Sequence, residues 1–207
     1  MTIAIVDYGM GNLRSVQKGF EHAGVPDVVI TPDPAEVASA DGIVLPGVGA
    51  FRDAAAHLRS AGLREVILER IAGGVPFLGI CLGMQLLADV GLEDGEWEGL
   101  GVLGGTCERL PGGVKVPHIG WNTVAYPREN ELFSGLPEDT AFYFVHSYHL
   151  RPADPECVIG IASYGVEFAA AVAKGNVYAV QFHPEKSSSA GLALLGNFGG
   201  IVARRRG

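Results

Sequence analysis

Cysteine is scarce in this sequence of 207 residues, which contains only Cys81, Cys107 and Cys157. An odd and small number of cysteines does not build the disulfide framework of a secreted domain, so we expect free thiols in a reducing cytoplasm. Long apolar runs are missing as well. None approaches the ~20 residues of a membrane-spanning helix, and the first stops at Asp7, too early for a signal peptide. We therefore predict a cytoplasmic protein without a membrane partner.

Positive charge is also in short supply. The chain has 15 Lys and Arg against 23 Asp and Glu, a net charge of −8. A chain this acidic lacks the basic surface that nucleic acid requires, so we predict no nucleic-acid partner. The one basic cluster, residues 204–206, suits the end of a helix, where the helix dipole favours cations.

Nucleotide and metal patterns are incomplete. The Gly-x-Gly strings at 9–11 and 47–49 lack the third glycine of the dinucleotide fingerprint, and no Gly-Lys-Ser/Thr string forms a P-loop. His146 and His149 are three residues apart, which in extended chain places them on opposite faces, and no cluster of further ligands accompanies them. We predict neither a cofactor nor a metal site.

Hydrophobic residues make up 48% of the chain, enough for one sizeable core. In the first half, short apolar runs alternate with helical patterns. The runs are residues 3–6, 28–30, 42–45 and 77–80, and the helical patterns cover 13–24 and 51–72, with an interruption at Gly62. Apolar strands separated by helices are typical of a parallel sheet that is covered on both faces.

The second half is richer in β-like runs. These runs are residues 142–145, 158–163, 168–173 and 177–182, and a final helix is expected over 187–205. We predict one α/β domain over residues 1–207. It would hold an open, mostly parallel sheet flanked by helices, with an antiparallel β extension in the second half.

The most informative segment surrounds Cys81. The apolar run 75–78 precedes it, a helix-like run at 85–88 follows it, and Gly79 and Gly83 stand on either side. A side chain at the tip of so sharp a strand-to-helix turn needs neighbours without Cβ atoms, as in a nucleophile elbow. This pattern predicts a cysteine nucleophile.

Buried cysteines are more commonly packing residues, so this interpretation needs support from the surroundings. The start of a helix stabilises a thiolate, and the backbone N–H of Leu82 would point into the site, where it could bind an oxyanion. Cys107 and Cys157 lack such surroundings, and we expect both to be structural.

A candidate base and its orienting group lie about a hundred residues downstream. His183 follows the strand-like run 177–182, so its ring is expected at the carboxyl end of a strand, where α/β sheets form their sites. Glu185 is two residues further on, and it could either orient the imidazole or interact with the dipole of the last helix. With Cys81 the two would form a Cys-His-Glu triad.

The loop after the third apolar run contains Gly47, Val48 and Gly49. Two glycines allow the backbone to approach a ligand closely or to flip a peptide, which would supply a second N–H donor to an oxyanion. From these residues alone, an ordinary βα loop is an equally good interpretation.

Together these strings resemble the triad class of glutamine amidotransferases, from residue 3 to the last helix. Within this class, residues 45–51, 116–122 and 142–148 are similar to the branch that serves imidazole glycerol phosphate synthase in histidine biosynthesis, and the opening segment 7–13 fits it as well. The resemblance implies a glutaminase that hydrolyses glutamine to glutamate and ammonia through a γ-glutamyl thioester. Its partner would be a (β/α)8-barrel cyclase that receives the ammonia.

The resemblance also implies roles for individual residues. Gln85 and the backbone of Ser147 and Tyr148 would hold the α-amino and α-carboxylate groups of glutamine. Family members of this kind do little without their partner, which suggests that the 46–49 segment is misaligned at rest and that a peptide flip there exposes the oxyanion donor.

Four residues in the branch-specific strings are candidates for the partner interface: Asn12, Trp121, Asn122 and Tyr143. Aromatic residues are frequent at interface hot spots, although core packing explains Trp121 equally well on physical grounds. The resemblance favours the interface.

Three alternatives remain at this point. An amidotransferase of pyridoxal phosphate, purine, anthranilate or guanylate synthesis is disfavoured by residues 116–122. A stand-alone cysteine hydrolase would work at full rate without a partner. A non-catalytic module with the same fold is disfavoured by the intact set of Cys81, His183 and Glu185.

Overall fold

The computed structural model describes residues 1–205 of the chain. Its strands, in chain order, are β1 (Ile3–Val6), β2 (Val28–Thr31), β3 (Gly42–Gly47), β4 (Phe77–Cys81), β5 (Val90–Gly91), β6 (Trp97–Glu98), β7 (Thr106–Arg109), β8 (His118–Val124), β9 (Thr140–His146), β10 (Tyr148–Arg151), β11 (Val158–Ser163), β12 (Glu167–Lys174) and β13 (Val177–Val180). Its α-helices are α1 (Leu13–His22), α2 (Pro34–Ser39), α3 (Phe51–Ser60), α4 (Leu63–Ala72), α5 (Leu82–Gln85) and α6 (Ser188–Arg205).

A seven-stranded sheet with the order β11-β12-β13-β4-β3-β1-β2 forms the centre of the fold. From β13 to β2 neighbouring strands are parallel, whereas β11, β12 and β13 pair antiparallel. The fold prediction is therefore confirmed. Two smaller sheets complete the second half: β10-β7-β5-β6, and the antiparallel pair of β8 and β9.

The central strands are buried on both faces, and alternate residues of each strand point to opposite sides of the sheet. Ile3 and Ile5 of β1 pack on the side of α1 and α6, while Ala4 and Val6 pack on the side of α2, α3 and α4. This explains why these strands are continuous apolar runs in the sequence. No helix within residues 1–205 has the length and apolarity required to cross a bilayer.

Some elements differ from the prediction. Helix α2, which begins at Pro34, is not among the predicted helices. Proline is tolerated in the first helical turn, and the Asp33 carboxylate accepts a hydrogen bond from the Ala35 N–H. The interruption predicted at Gly62 within residues 51–72 is confirmed, since α3 ends at Ser60, α4 begins at Leu63, and Gly62 between them has a φ of 68°.

Two further differences lie near the carboxyl edge of the sheet. Helix α5 is one turn that begins at Leu82, directly after the cysteine, rather than the segment 85–88. His146 and His149, expected on opposite faces of one strand, belong to different strands, β9 and β10. Of the predicted basic cluster, Arg206 lies outside the described residues.

Candidate active site

Cys81 occupies a strained turn between β4 and α5. Its φ of 55° and ψ of −107° lie in a region that side chains rarely adopt. A Cβ atom on Gly83 would lie 1.8 Å from the Leu45 carbonyl oxygen, and one on Gly79 would lie 2.7 Å from that of Gly83. Both positions therefore require glycine, and the sharp strand-to-helix turn expected from the sequence is present.

His183 reaches the same edge of the sheet from β13. This strand is parallel to β4, with Val180 beside Ile80, so both chains leave the sheet at neighbouring points. Cys81 and His183 line one pocket of about 320 Å³. The structure thus brings together two side chains that are about a hundred residues apart in sequence.

Glu185 holds the His183 ring from the other side. The Nδ1 atom of His183 is 2.9 Å from Oε1 of Glu185, and the two side chains are 5% and 1% exposed. Because an ionised carboxylate only accepts hydrogen bonds, Nδ1 carries the proton and Nε2 is left for the Cys81 side. Burial lowers the pKa of His183, but hydrogen bonds with Cys81 and Glu185 outweigh it and raise this pKa well above its usual range.

The cysteines predicted to be structural are in different surroundings. Cys107 and Cys157 are buried, and burial raises the pKa of each thiol. Neither lines the pocket that holds Cys81. A thiol that resists ionisation is a poor nucleophile, which agrees with a packing role.

The glycine-rich loop lies beside Cys81. Strand β3 pairs with β4 so that Gly47 stands opposite Cys81, and Val48 and Gly49 line the pocket. A Cβ atom on Gly47 would lie 2.4 Å from the Tyr8 hydroxyl, so the backbone approach there also requires glycine. Leu82 is the first residue of α5, so its N–H has no acceptor within the helix.

Gln85, Ser147 and Tyr148 also line the pocket. The Nε2 atom of Gln85 donates to the Tyr148 carbonyl at 2.8 Å and to Oε1 of Gln181 at 3.1 Å. Gln181 in turn places its Nε2 3.6 Å from the Cys81 sulfur. No role was predicted for Gln181, and the signal that the sequence offers for it is a polar residue in an otherwise apolar run.

Glu93 is a second residue that sequence reasoning missed. It lines the pocket, and its Oε2 accepts a hydrogen bond of 2.7 Å from the N–H of Phe51, at the start of α3. The residue gives no local signal, because it lies in an acidic turn and its contact is 42 residues distant in sequence.

The four candidate interface residues do not form one group. Trp121 and Tyr143 pair across β8 and β9, with ring centroids 5.9 Å apart, and Trp121 is 55% exposed. Asn122 follows Trp121 and therefore points to the other face of β8, where it donates to the Ser163 carbonyl. Asn12 is exposed at the start of α1.

The profile of the family described as "Glutamine amidotransferase class-I" matches residues 4–199. The chain belongs to this family. It is 54% identical over 200 residues to the "Imidazole glycerol phosphate synthase subunit HisH" of Moorella thermoacetica, covering 97% of this chain and 95% of that protein. The protein of the same name from Aquifex aeolicus is 50% identical over 198 residues, 96% of each chain.

Solved structures agree on the fold. PurLQS from Thermotoga maritima matches with a TM-score of 0.74 at 20% identity, over 100% of this chain and 99% of that one. This similarity shows a shared fold, and the family match above makes the chain a class I glutamine amidotransferase.

Proposed function

We propose that the chain is the glutaminase subunit of imidazole glycerol phosphate synthase. It hydrolyses glutamine to glutamate and ammonia and delivers the ammonia to a (β/α)8-barrel cyclase in the cytoplasm. One observation carries the proposal for the chemistry: a cysteine on a strained turn shares a pocket with a histidine that is bound to a buried carboxylate. The names of the relatives support the choice of pathway.

Cys81 is the nucleophile in the proposed mechanism. His183 takes the thiol proton at Nε2, and the thiolate attacks the side-chain carbonyl carbon of glutamine. The imidazolium then protonates the departing nitrogen, ammonia leaves, and a γ-glutamyl thioester remains. His183 next takes a proton from water, which attacks the thioester, and glutamate and the thiol are released. Glu185 keeps the imidazole in the required tautomer and stabilises its charged form.

Two backbone donors would stabilise the tetrahedral oxyanion. The Leu82 N–H is one, and an N–H from the Gly47-Val48-Gly49 loop is the other. Gly49 has a φ of 103°, and Val48 is 45% exposed, so this loop has backbone freedom and an open side. We predict that a peptide flip in residues 46–49 accompanies activation by the partner.

The polar groups around the pocket suit a free amino acid. Gln85 and the backbone of Ser147 and Tyr148 would hold the α-amino and α-carboxylate groups. The Glu93 carboxylate lines the same pocket, and its negative charge would attract the α-ammonium group of glutamine. A glutamine residue within a protein lacks this ammonium group, so the arrangement favours free glutamine over peptides.

The partner surface would include the pair of the exposed Trp121 and the half-buried Tyr143. The backbone of Tyr143 also contacts the triad, since its carbonyl accepts from the His183 N–H at 2.9 Å. Docking at this face would thus occur close to the site of ammonia release. Ammonia in neutral water is mostly protonated and no longer nucleophilic, so direct transfer to the cyclase preserves its reactivity.

Replacing Cys81 with Ala in the complex with the cyclase tests the proposal. We expect loss of glutamine hydrolysis, while the cyclase still uses added ammonia. Cys107→Ala is the control and should keep glutaminase activity. Near-normal glutamine hydrolysis by Cys81→Ala would exclude the proposed nucleophile, and full activity without the cyclase would favour a stand-alone hydrolase.

A further inference from the structure

We propose that Gln181 is a further catalytic residue, which donates a hydrogen bond to the Cys81 sulfur and stabilises its thiolate. Its side chain is fully buried, and its Nε2 lies 3.6 Å from Sγ. The inference rests on the proposed role of Cys81 as nucleophile. It adds a donor to the reacting sulfur that belongs neither to the triad nor to the oxyanion loop.

The direction of this hydrogen bond follows from the Tyr148 carbonyl. A carbonyl oxygen only accepts, so the group of Gln85 that lies 2.8 Å from it must be the NH2 group. The second hydrogen of this group then faces Gln181 at 3.1 Å, which must present its oxygen. The NH2 group of Gln181 is therefore left on the side of Cys81. Two glutamine amides, whose orientation is otherwise ambiguous, are oriented by one backbone carbonyl.

The Tyr148 carbonyl is itself held by a second donor. Nδ1 of His146 lies 2.9 Å from it, and must carry a proton to donate. Nε2 of this neutral ring is then an acceptor, and Nδ1 of His118 lies 3.0 Å away as its donor. Both histidines are buried. The orientation of Gln181 thus depends on a connected and buried set of hydrogen bonds.

The environment of the sulfur explains why this donor matters. Sγ of Cys81 also lies 3.8 Å from the Val145 carbonyl oxygen, which can accept from a thiol but repels a thiolate. The N–H of Gln181 has the opposite preference, because a hydrogen bond to an ion is stronger than one to a neutral group. Gln181 therefore favours the reactive form of Cys81.

The test compares Gln181→Glu and Gln181→Met with the unaltered chain. The first variant replaces the donor with a carboxylate of the same shape, and the second keeps a similar volume without a donor. We expect the rate of Cys81 alkylation by iodoacetamide at neutral pH to fall about tenfold or more, as for loss of a hydrogen bond to a charged group. Mass spectrometry of the Cys81 peptide reports the rate, and the ultraviolet absorbance of thiolate reports its population.

Gln17→Glu is the matched control, since it makes the same chemical change on α1, where Gln17 donates to the Val28 carbonyl. It should leave both readouts unchanged. Variants of Gln181 that remain folded and keep the normal alkylation rate and thiolate absorbance would overturn the inference. If Cys81→Ala still hydrolysed glutamine, the proposed function would fail instead, so the two outcomes are distinguishable.

A second measurement needs no change at Gln181. In the full chain labelled with ¹⁵N, the side-chain amide resonances of Gln181 should move when Cys81 is replaced by Ala, while those of Gln17 stay in place. Unmoved Gln181 resonances would contradict a hydrogen bond to the sulfur, even if both Gln181 variants failed to fold.

Discussion

Two buried histidines line the same pocket, and their environments act on them in opposite ways. His183 lies against the Glu185 carboxylate and the Cys81 sulfur, and these partners raise its pKa despite burial. His146 has a backbone carbonyl and a second histidine as partners, and burial lowers its pKa to about 3. Burial alone therefore does not decide the charge of a histidine here. The hydrogen-bond partners do, since the Cys81 sulfur and the Glu185 carboxylate stabilise imidazolium far better than a carbonyl and a second histidine do.

This difference suits two separate tasks. A base must hold a proton between the two halves of the reaction, which His183 can do next to Glu185. A neutral His146 adds no positive charge beside the imidazolium and serves to hold the Tyr148 carbonyl. A second charged histidine would repel the imidazolium of His183 and lower its pKa.

The largest expected effect comes from removing the charge of Glu185, which would make the surroundings of His183 more like those of His146. Glu185→Gln keeps an oxygen that can accept from Nδ1 of His183 and removes only the charge. We expect kcat for glutamine to fall about a hundredfold or more, because the imidazolium loses its stabilising partner. Steady-state kinetics of the complex with the cyclase measures it.

Glu36→Gln, on the exposed first turn of α2, is the control for the loss of one negative charge. It should leave kcat unchanged. A kcat for Glu185→Gln within a few-fold of normal would mean that the carboxylate does not account for the contrast between the histidines.

The two histidine sites also differ in how far the sequence could predict them. The Cys-Leu-Gly turn and the His-Pro-Glu string are local patterns, and the parallel pairing of β4 with β13 brings them together, as expected from strand ends in such a sheet. The contact between His118 and His146 depends on the register of β8 and β9, where the two residues are opposite each other. No strand was predicted over β8, because its exposed Ile119 and Trp121 hide the usual apolar-inside alternation.

Other misses have different physical origins. Helix α2 begins at Pro34, a residue type that usually ends helices. The local sign of this helix is Asp33, whose side chain caps its first turn. Glu93 and Gln181 act through partners 42 and 100 residues away, respectively. Patterns of spacing describe the neighbours along a chain, whereas these contacts depend on how distant segments pack.

A middle-sized effect is expected from removing the hydrogen bond between the buried side chains of His118 and His146. His118→Phe keeps an aromatic ring that can stack on Tyr164, whose ring centroid is 4.0 Å away, but removes the donor to Nε2 of His146. A buried acceptor without a partner costs about 2 kcal/mol, so the free energy of unfolding should fall by that amount. Urea denaturation measures the loss.

Tyr164→Phe keeps the same stack and removes only the hydrogen bond from its hydroxyl to the Lys115 carbonyl, at the surface. Its effect should stay within about 0.5 kcal/mol. Equal stabilities for His118→Phe and the unaltered chain would show that the contact between the histidines contributes nothing.

The smallest expected effect is a loss of stability at acidic pH, and its direction follows from the lowered pKa of His146. In the folded chain this residue stays neutral down to its lowered pKa of about 3, whereas in the unfolded chain it binds a proton near its ordinary value of about 6.5. The unfolded state therefore binds more protons between these two values. The stability due to neutral His146 is complete above the unfolded pKa and is lost as the pH falls toward the folded one.

Between pH 6.5 and 5.5 this group should remove about 1 kcal/mol from the free energy of unfolding. In His146→Gln the loss should be smaller by about that amount, as measured by urea denaturation at the two pH values. His22→Gln, at an exposed position on α1, is the control and should keep the slope of the unaltered chain. An identical slope in His146→Gln would mean that His146 binds protons equally in the folded and unfolded states, and the contrast with His183 would then disappear.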